Sequence, residues 1–171
     1  SPLEPMWRPE GVSWCEPFVG GANVISHVGG VRYANDLDSE LIALFQAVAR
    51  GYEPPENVSR DEYYRVKSNP QNYEPEYVGL VSICCSFGSK KWGGYAVNAV
   101  GRNYACQSAR ALRKMAHKLK DIIFSSVDYR EMAIPDNSII YCDPPYKNTT
   151  VYRRTGVFDH DEFYQWCREM S

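Results

Sequence analysis

Ile139-Ile-Tyr-Cys-Asp-Pro-Pro-Tyr146 is an apolar strand pattern that runs directly into an acid, two prolines and an aromatic ring. Proline cannot donate to a β-ladder and fixes its own φ, so the strand must end here with its last carbonyl groups held rigid. The loop then offers the Asp143 carboxylate and the Pro144 carbonyl to a planar amino group, with Tyr146 as a flat surface beside it. The alternative is an ordinary Pro-rich turn after a strand, because Asp-Pro begins many turns.

A second stretch, residues 12–23, reads Val-Ser-Trp-Cys-Glu-Pro-Phe-Val-Gly-Gly-Ala-Asn and predicts a strand, a glycine turn and a helix. Glycines let a ligand approach the backbone closely, and a helix N-terminus offers free N–H groups. Residues 31–36, Val-Arg-Tyr-Ala-Asn-Asp, predict another strand that ends in an acid. In an open α/β sheet such an acid typically holds ribose hydroxyls. The alternative for Asp36 is a helix N-cap, a role for which Asp38 competes.

Taken together, these stretches resemble the Dam-type family of adenine-N6 DNA methyltransferases, which use S-adenosylmethionine. The resemblance covers roughly residues 12–165, with the matches in family order. The matching segments are Glu-Pro-Phe-Val-Gly-Gly at 16–21, Asn-Asp-Leu-Asp at 35–38, Cys-Cys-Ser-Phe-Gly-Ser-Lys-Lys-Trp-Gly-Gly-Tyr at 84–95, Val-Asp-Tyr at 127–129 and Asp-Pro-Pro-Tyr at 143–146. We call residues 84–95 the aromatic-glycine segment.

The resemblance implies a cofactor site and a catalytic loop, and it requires no metal. The implied cofactor-binding residues are Glu16, Pro17, Phe18, Gly20, Gly21, Asp36, Asp128 and Tyr129. The implied catalytic residues are Asp143, Pro144, Pro145 and Tyr146. On this basis Asp143 and the Pro144 carbonyl accept hydrogen bonds from the adenine amino group. The base must first be flipped out of double-stranded DNA, and Tyr146 stacks on it.

Alternating strand and helix patterns predict an α/β fold with a doubly wound, mostly parallel, Rossmann-like sheet. The predicted strands lie near residues 12–18, 31–35, 121–127 and 138–142, and the predicted helices near 21–27, 38–50, 105–119 and 159–169. We expect one partial catalytic domain over residues 1–171, with an excursion at about 51–104 as the place for a reduced target-recognition region. Because the chain begins without methionine and stops after the last helix, we expect a fragment whose strand before Asp143 is a sheet edge.

Composition is typical of a single small domain with one core, since the chain has 171 residues. We find no apolar run of about eighteen residues and no charged-then-apolar leader, and so expect neither a membrane span nor a secretory signal. The six cysteines form no Cys-x-x-Cys pair and no pattern with histidine, so we expect no metal site. Cysteines within apolar runs favour reduced thiols and a cytoplasmic setting, and the resemblance implies a bacterium or a phage-infected cell.

The formal charge of -2 conceals a basic region. Residues 88–120 carry eight basic side chains and no acid, and part of this region has the apolar spacing of an amphipathic helix. With Trp92, Tyr95 and Tyr104 interleaved, it suits backbone contact and base stacking on DNA. The predicted DNA-binding residues are Lys90, Lys91, Arg102, Arg110, Arg113, Lys114 and Lys118. The alternative is a solvated helix face.

Two other functions remain open from the sequence. The same loop chemistry serves other planar amino groups, such as cytosine N4, RNA adenine or a glutamine side chain. A non-catalytic module that binds DNA or the cofactor is the second alternative. Neither the target DNA sequence nor the oligomeric state follows from the sequence.

Overall fold

The computed structural model describes residues 10–97, 104–145 and 158–171. The strands are β1 (Ser13–Glu16), β2 (Arg32–Asn35), β3 (Ile122–Ser125) and β4 (Ser138–Ile140). The α-helices are α1 (Ser39–Ala49), α2 (Arg60–Ser68), α3 (Pro75–Gly79), α4 (Tyr104–Leu119) and α5 (His160–Glu169). Single 3-10 turns cover Ile25–His27, Pro70–Asn72, Phe87–Ser89 and Tyr129–Glu131, and a π-helical turn at Leu80–Cys84 continues α3.

The four described strands form one sheet in the order β3-β2-β1-β4, and every pairing is parallel. Trp14 of β1 lies opposite Arg32 of β2 on one side and Ile139 of β4 on the other. All carboxyl ends therefore point to one edge of the sheet. This arrangement confirms the predicted α/β fold, and within the described residues β4 is an edge strand, as expected.

Helices cover both faces of this sheet. Successive strand residues point to opposite faces, so each strand contributes side chains to both layers of packing. Trp14, Ala34 and Ile122 face a core shared with α1 and α4. Ile140, which points to the other face, packs in a separate cluster with residues of α5. Of the apolar positions predicted for α4, Ala105, Ala109, Leu112 and Leu119 are buried and Ala116 is half-buried. The helices thus hold the strand ends, and the loops that follow them, in fixed positions.

The predicted helix at residues 21–27 is wrong. Gly20 and Ala22 have φ of 46° and 56°, in the left-handed region, which a right-handed helix cannot accommodate. The chain makes a series of turns here and reaches only the three-residue 3-10 turn at Ile25–His27. No α-helix N-terminus therefore follows the glycine turn, and the ligand-facing groups of this loop are those of the turn itself.

Residues 51–97 contain two helices that the sequence analysis did not predict, α2 and α3. Together they enclose a second apolar cluster, in which Tyr63 and Val66 of α2 are fully buried. At Gly79 a methyl group would lie 2.2 Å from the carbonyl oxygen of Glu40, so only glycine lets α3 pack this closely on α1. Residues 51–97 are therefore a packed helical unit attached to α1. Its assignment as a target-recognition region stays a prediction.

None of the helices within the described residues is both long and apolar enough to cross a membrane.

Candidate active site at the carboxyl edge of the sheet

Glu16, the last residue of β1, and Asp143, in the loop after β4, lie at the ends of neighbouring strands, since Cys15 of β1 lies opposite Ile140 of β4. The backbone N–H of Tyr141 still donates to the Cys15 carbonyl oxygen at 2.9 Å, which keeps the two chains parallel up to the Asp143 loop. Asp143 is exposed, and Pro144 and Pro145 are half-buried. The structure therefore brings the predicted catalytic loop beside the predicted cofactor loop. Tyr146 lies outside the described residues.

The Glu16 carboxyl group is buried, with only 2% of the residue exposed. Burial raises the pKa of Glu16 to about 7. Hydrogen bonds from Trp14 Nε1, at 2.8 Å, and from the Ile25 backbone oppose this rise, whereas the negative charge of Asp143 adds to it. A buried carboxylate attracts a cationic group more strongly than one in water does, so Glu16 suits a ligand that carries positive charge.

The glycine turn is tied directly to the end of β2. The Gly20 N–H donates to Asp36 Oδ2 at 3.0 Å, and the Val19 N–H donates to the Asn35 carbonyl oxygen at 2.8 Å. Apart from its chain neighbours, no heavy atom of the described residues lies within 4 Å of where a Gly20 side chain would begin, so these residues leave the space above this backbone open. The turn therefore leaves room for a ligand, and cofactor binding by Gly20 stays a prediction. Gly21 is exposed next to it.

Asp36 does not cap α1. The N-cap is Asp38, whose Oδ1 accepts from the Leu41 N–H at 3.2 Å. The Asp36 carboxylate instead accepts from Gly20 and from the Asp38 N–H, the latter at 3.0 Å, and each oxygen keeps a second acceptor site. Burial raises the pKa of Asp36, and these two backbone hydrogen bonds oppose the rise. The structure thus removes the cap alternative, and ribose binding by Asp36 stays a prediction.

Asn35 has a structural role at this edge of the sheet that the sequence analysis missed. Its Nδ2 donates to the carbonyl oxygens of Pro17 and Val127, at 3.1 and 2.9 Å. Its Oδ1 accepts from Ser125 Oγ at 2.8 Å and from the Val127 N–H at 3.1 Å. One buried amide therefore joins the loops after β1, β2 and β3. A polar residue at the end of an apolar strand was the available signal.

Tyr129 is buried among aromatic rings and does not stand free in the site. Its ring centroid lies 5.3 Å from that of Phe18 and 5.2 Å from that of Trp166. The Asp128 carboxylate accepts two hydrogen bonds from the Arg130 guanidinium, at 2.7 and 2.9 Å. The structure brings Phe18 and Tyr129 together, so any contact that Tyr129 makes with a ligand would use the edge of this aromatic cluster. The predicted cofactor role of both residues remains untested.

The predicted DNA-binding residues differ in their surroundings. Lys91 is paired with Asp38 and Glu40, with 2.6 Å between its Nζ and Asp38 Oδ1. Arg113 is paired with Glu53, at 2.8 Å, and with Glu56. The wider set includes Arg110, which lies 3.9 Å from a carboxylate oxygen of Glu56, the exposed side chains Lys90 and Lys114, the half-buried Lys118, and Arg102, which lies outside the described residues.

These ion pairs reduce the local positive field that the sequence indicated. The acids in these ion pairs belong to residues 38–56, which are distant in sequence from α4. The count of charges in residues 88–120 therefore did not include them. The acid-free stretch is therefore less basic in space than along the chain. DNA binding by these cations stays a prediction, now strongest for Lys90 and Lys114. Within the described residues no three His, Cys, Asp or Glu side chains are grouped so as to hold a metal ion.

Comparison with known proteins identifies the family. A family model described as D12 class N6 adenine-specific DNA methyltransferase matches residues 8–170. The Type II methyltransferase M.CviBI of Paramecium bursaria Chlorella virus NC1A is 31% identical, in a match that covers 78% of this chain and 59% of the relative. A DNA adenine methylase of Haemophilus influenzae is 30% identical, with 77% and 54% covered. This chain thus spans a little over half the length of both relatives. It belongs to the D12 class of N6 adenine-specific DNA methyltransferases.

Proposed function

We propose that the protein containing this chain transfers a methyl group from S-adenosylmethionine to the N6 amino group of adenine in double-stranded DNA. The observation that carries the proposal is the position of the Asp143-Pro144-Pro145 loop directly beside the buried Glu16 and the glycine turn, at the carboxyl ends of two adjacent strands. Methyl transfer requires the methyl donor and the amino acceptor to lie side by side, as these two neighbouring loops would hold them. The family to which the chain belongs uses this chemistry.

The residues present fit S-adenosylmethionine. The open space above Gly20 admits a ligand next to the backbone. Glu16 offers a buried negative charge to the cationic methionine end, and Asp36 keeps acceptor capacity for ribose hydroxyls. The rings of Phe18 and Tyr129 border the same edge and suit a flat adenine. When bound, the cofactor supplies an electrophilic methyl group on a positively charged sulfur.

The Asp143 loop acts on the acceptor. The lone pair of the adenine amino nitrogen is delocalised into the ring, which makes it a poor nucleophile. Hydrogen bonds from this amino group to Asp143 and to the Pro144 carbonyl draw electron density onto the nitrogen. The nitrogen gains the methyl group and loses one proton, which can pass through the exposed Asp143 to water. Orientation of the two reactants supplies much of the rate, roughly 7–11 kcal/mol in well-oriented systems.

The exposure of Asp143 favours a reaction on a base that has been flipped out of the DNA duplex. The Asp143 side chain is exposed, so a base swung out of a duplex can reach it. The helical unit over residues 51–97 lies on α1, beside the loop after β2, and is our candidate for the target-recognition region. A DNA substrate also makes a cytoplasmic location part of the proposal.

The test is methylation by the full-length protein with isotope-labelled S-adenosylmethionine and duplex DNA, followed by digestion to nucleosides and mass spectrometry. The expected product is labelled N6-methyladenine, absent with the Asp143→Ala variant and retained with Asp136→Ala, an exposed acid before β4. Parallel reactions with RNA and protein separate the other acceptors. Labelled N4-methylcytosine, or label in RNA or protein alone, would contradict the proposal. Binding of cofactor and DNA without any labelled product would indicate a non-catalytic module.

A further inference from the structure

Trp14 of β1 is a core residue that reaches into the candidate cofactor site. Only 8% of the residue is exposed, and it belongs to the core that the sheet shares with α1 and α4. Its indole Nε1 donates to Glu16 Oε1 at 2.8 Å. This contact is possible because alternate residues of a strand share one face, which puts Trp14 and Glu16 on the same side of β1.

The ring of Trp14 makes a second contact, with the strand that leads to the Asp143 loop. It stacks on the ring of Tyr141, with 5.8 Å between the centroids and 19° between the planes. Tyr141 lies two residues before Asp143 in the sequence. Trp14 therefore contacts both sides of the site, Glu16 through its N–H and the Asp143 strand through its ring. A phenylalanine at position 14 would keep a ring and lose the N–H.

The Glu16 carboxyl group depends on such a donor to carry charge. Burial raises the pKa of Glu16 to about 7, and the hydrogen bonds from Trp14 and from the Ile25 backbone keep this pKa from rising further. Without the bond from Trp14 the pKa would be higher, and most Glu16 side chains would hold a proton at pH 7. A protonated Glu16 would offer no negative charge to a cationic ligand.

The ionisable groups around Glu16 do not replace this donor. On the segments that border Glu16 they are Cys15 on β1, His27 in the 3-10 turn, Arg32 and Asp36 on and after β2, and Tyr141, Cys142 and Asp143 on and after β4. The charge of Asp143 raises the pKa of Glu16. The Arg32 guanidinium donates instead to the carbonyl oxygens of Lys118 and Lys120, at 2.8 and 2.7 Å. Within the described residues no cationic side chain pairs with Glu16.

A neutral donor and a cation differ in what they leave for the ligand. The indole N–H donates one hydrogen bond and has no acceptor. A lysine or arginine in its place would also keep Glu16 ionised, but it would cancel the charge of the carboxylate. Trp14 stabilises the ionised form and leaves its whole negative charge for a cationic ligand, such as the methionine end of S-adenosylmethionine.

We propose that Trp14 is a positioning residue for S-adenosylmethionine, which holds the Glu16 carboxylate ionised and in place through a neutral hydrogen bond while its ring supports the strand before Asp143. This inference rests on the proposed function, since it assigns a support to the cofactor site of that reaction.

The test is the pH dependence of S-adenosylmethionine binding by the full-length protein, measured by calorimetry from pH 6 to pH 9 for the wild type and Trp14→Phe. At pH 6 the variant should bind about tenfold more weakly, because it has lost a hydrogen bond to a charged group and more of its Glu16 is protonated. The difference should disappear by pH 9, where Glu16 is ionised in both proteins. Titration of the amino group of the cofactor is common to both and cancels in their ratio.

Kinetics should show the same division. The KM for the cofactor should rise in Trp14→Phe at pH 6 and 7, whereas kcat at saturating cofactor should change less, because a ring still packs against Tyr141. A loss of packing alone would weaken binding at every pH.

Two variants control the binding experiment. Trp166→Phe removes the indole N–H of a tryptophan of similar burial, 9% exposed, on the other face of the sheet, and any change in its affinity should be the same at every pH. In a Glu16→Gln background, Trp14→Phe should leave the pH profile of affinity unchanged, because no carboxyl group remains at position 16 to titrate.

A measurement on the wild type does not depend on how well the variants fold. The indole N–H resonance of Trp14, followed by NMR of the 15N-labelled protein, should shift with a midpoint near pH 7 as Glu16 ionises. Bound S-adenosylmethionine should move this midpoint to lower pH, because a cationic ligand favours the ionised carboxylate. A resonance that does not respond to pH would overturn the inference.

The outcomes distinguish this inference from the proposed function. If Trp14→Phe loses the same factor of affinity at pH 6 and at pH 9, Trp14 is a packing residue only, and the proposed function stands because the cofactor still binds. If the wild type binds no S-adenosylmethionine at any pH, the proposed function and the cofactor role of Trp14 are both wrong.

Discussion

The backbone N–H of Gly20 donates to Oδ2 of Asp36 at 3.0 Å and so joins the glycine turn after β1 to the acid after β2. This contact gives Asp36 two roles, since it shapes the turn and keeps acceptor capacity for a ligand. The two halves of the predicted cofactor site are therefore not independent. A change at Asp36 should alter both the ligand contact and the turn that the ligand approaches.

We expect Asp36→Ala to weaken S-adenosylmethionine binding by about tenfold or more, because charge-assisted hydrogen bonds contribute roughly 1.5–3 kcal/mol each. Saturated turnover should fall less. Isothermal titration calorimetry gives the dissociation constant. Asp38→Ala is the comparison, because it removes the α1 cap and should lower the free energy of unfolding by about 0.5–2 kcal/mol while changing affinity less. Equal cofactor affinity for Asp36→Ala and the wild type would refute a ligand-binding role.

Asp143→Ala should lower kcat for methyl transfer by at least about a hundredfold, the usual consequence of removing one well-placed hydrogen-bonding group from a transition state. Cofactor affinity should stay near that of the wild type, because Asp143 meets the acceptor and not the methionine or ribose. Single-turnover kinetics with saturating cofactor measures the chemical step. A folded variant with wild-type turnover would exclude Asp143 from catalysis.

Stability should depend on pH through Glu16. Its pKa is raised by burial from 4.5 to about 7, so between these values the folded chain keeps a proton that the unfolded chain has released. The contribution of Glu16 to stability is therefore present below about pH 4.5 and is lost as the pH rises to about 7, by up to about 1.4 kcal/mol per pH unit. Urea unfolding at pH 5, 6 and 7 measures this fall.

The matched variant is Glu16→Gln, which cannot ionise and should lose this part of the pH dependence. Asp36 titrates in the same direction in both proteins, so the difference between them isolates Glu16. Asp143→Asn should make the fall end at a lower pH, since the charge of Asp143 helps to raise the pKa of Glu16 in the folded chain. Identical pH profiles for wild type and Glu16→Gln would show that Glu16 ionises normally.

Neighbouring cations on α4 should respond differently to neutralisation. Lys114 is exposed, and Lys114→Gln should reduce the slope of log K against log salt for DNA binding by nearly one unit if it meets a phosphate. Arg113 is already paired with Glu53 and Glu56, so Arg113→Gln should change the slope less and should loosen the attachment of residues 53–56 to α4. Filter binding across salt concentrations measures both. An unchanged slope for Lys114→Gln would show that this face of α4 is solvated and makes no DNA contact.

Local sequence alone predicted the four strands, α1, α4 and α5, because apolar periodicity and terminating residues act over a few positions. It also placed the Asp143 loop and the glycine turn at the same sheet edge, since parallel strands share their carboxyl ends. It failed at residues 21–27, where Gly20 and Ala22 have positive φ and the turn is bonded to the end of β2, far away in sequence. It also passed over α2, whose polar composition conceals the buried Tyr63 and Val66.

Tertiary structure decided what each of these residues does. In the sequence Asn35 is an ordinary residue at the end of a strand. In the fold its amide donates to the carbonyl oxygens of Pro17 and Val127, in two different loops. The sequence favoured Trp92 for base stacking. In the fold Tyr63, almost thirty positions earlier, packs against it, and Phe87 is the exposed ring of the aromatic-glycine segment. Sequence by itself therefore determined the family and the strands and predicted the chemistry of the Asp143 loop, since these depend on neighbouring residues. Only the folded chain decided which charges are neutralised and which rings face solvent, because both depend on partners far apart in sequence.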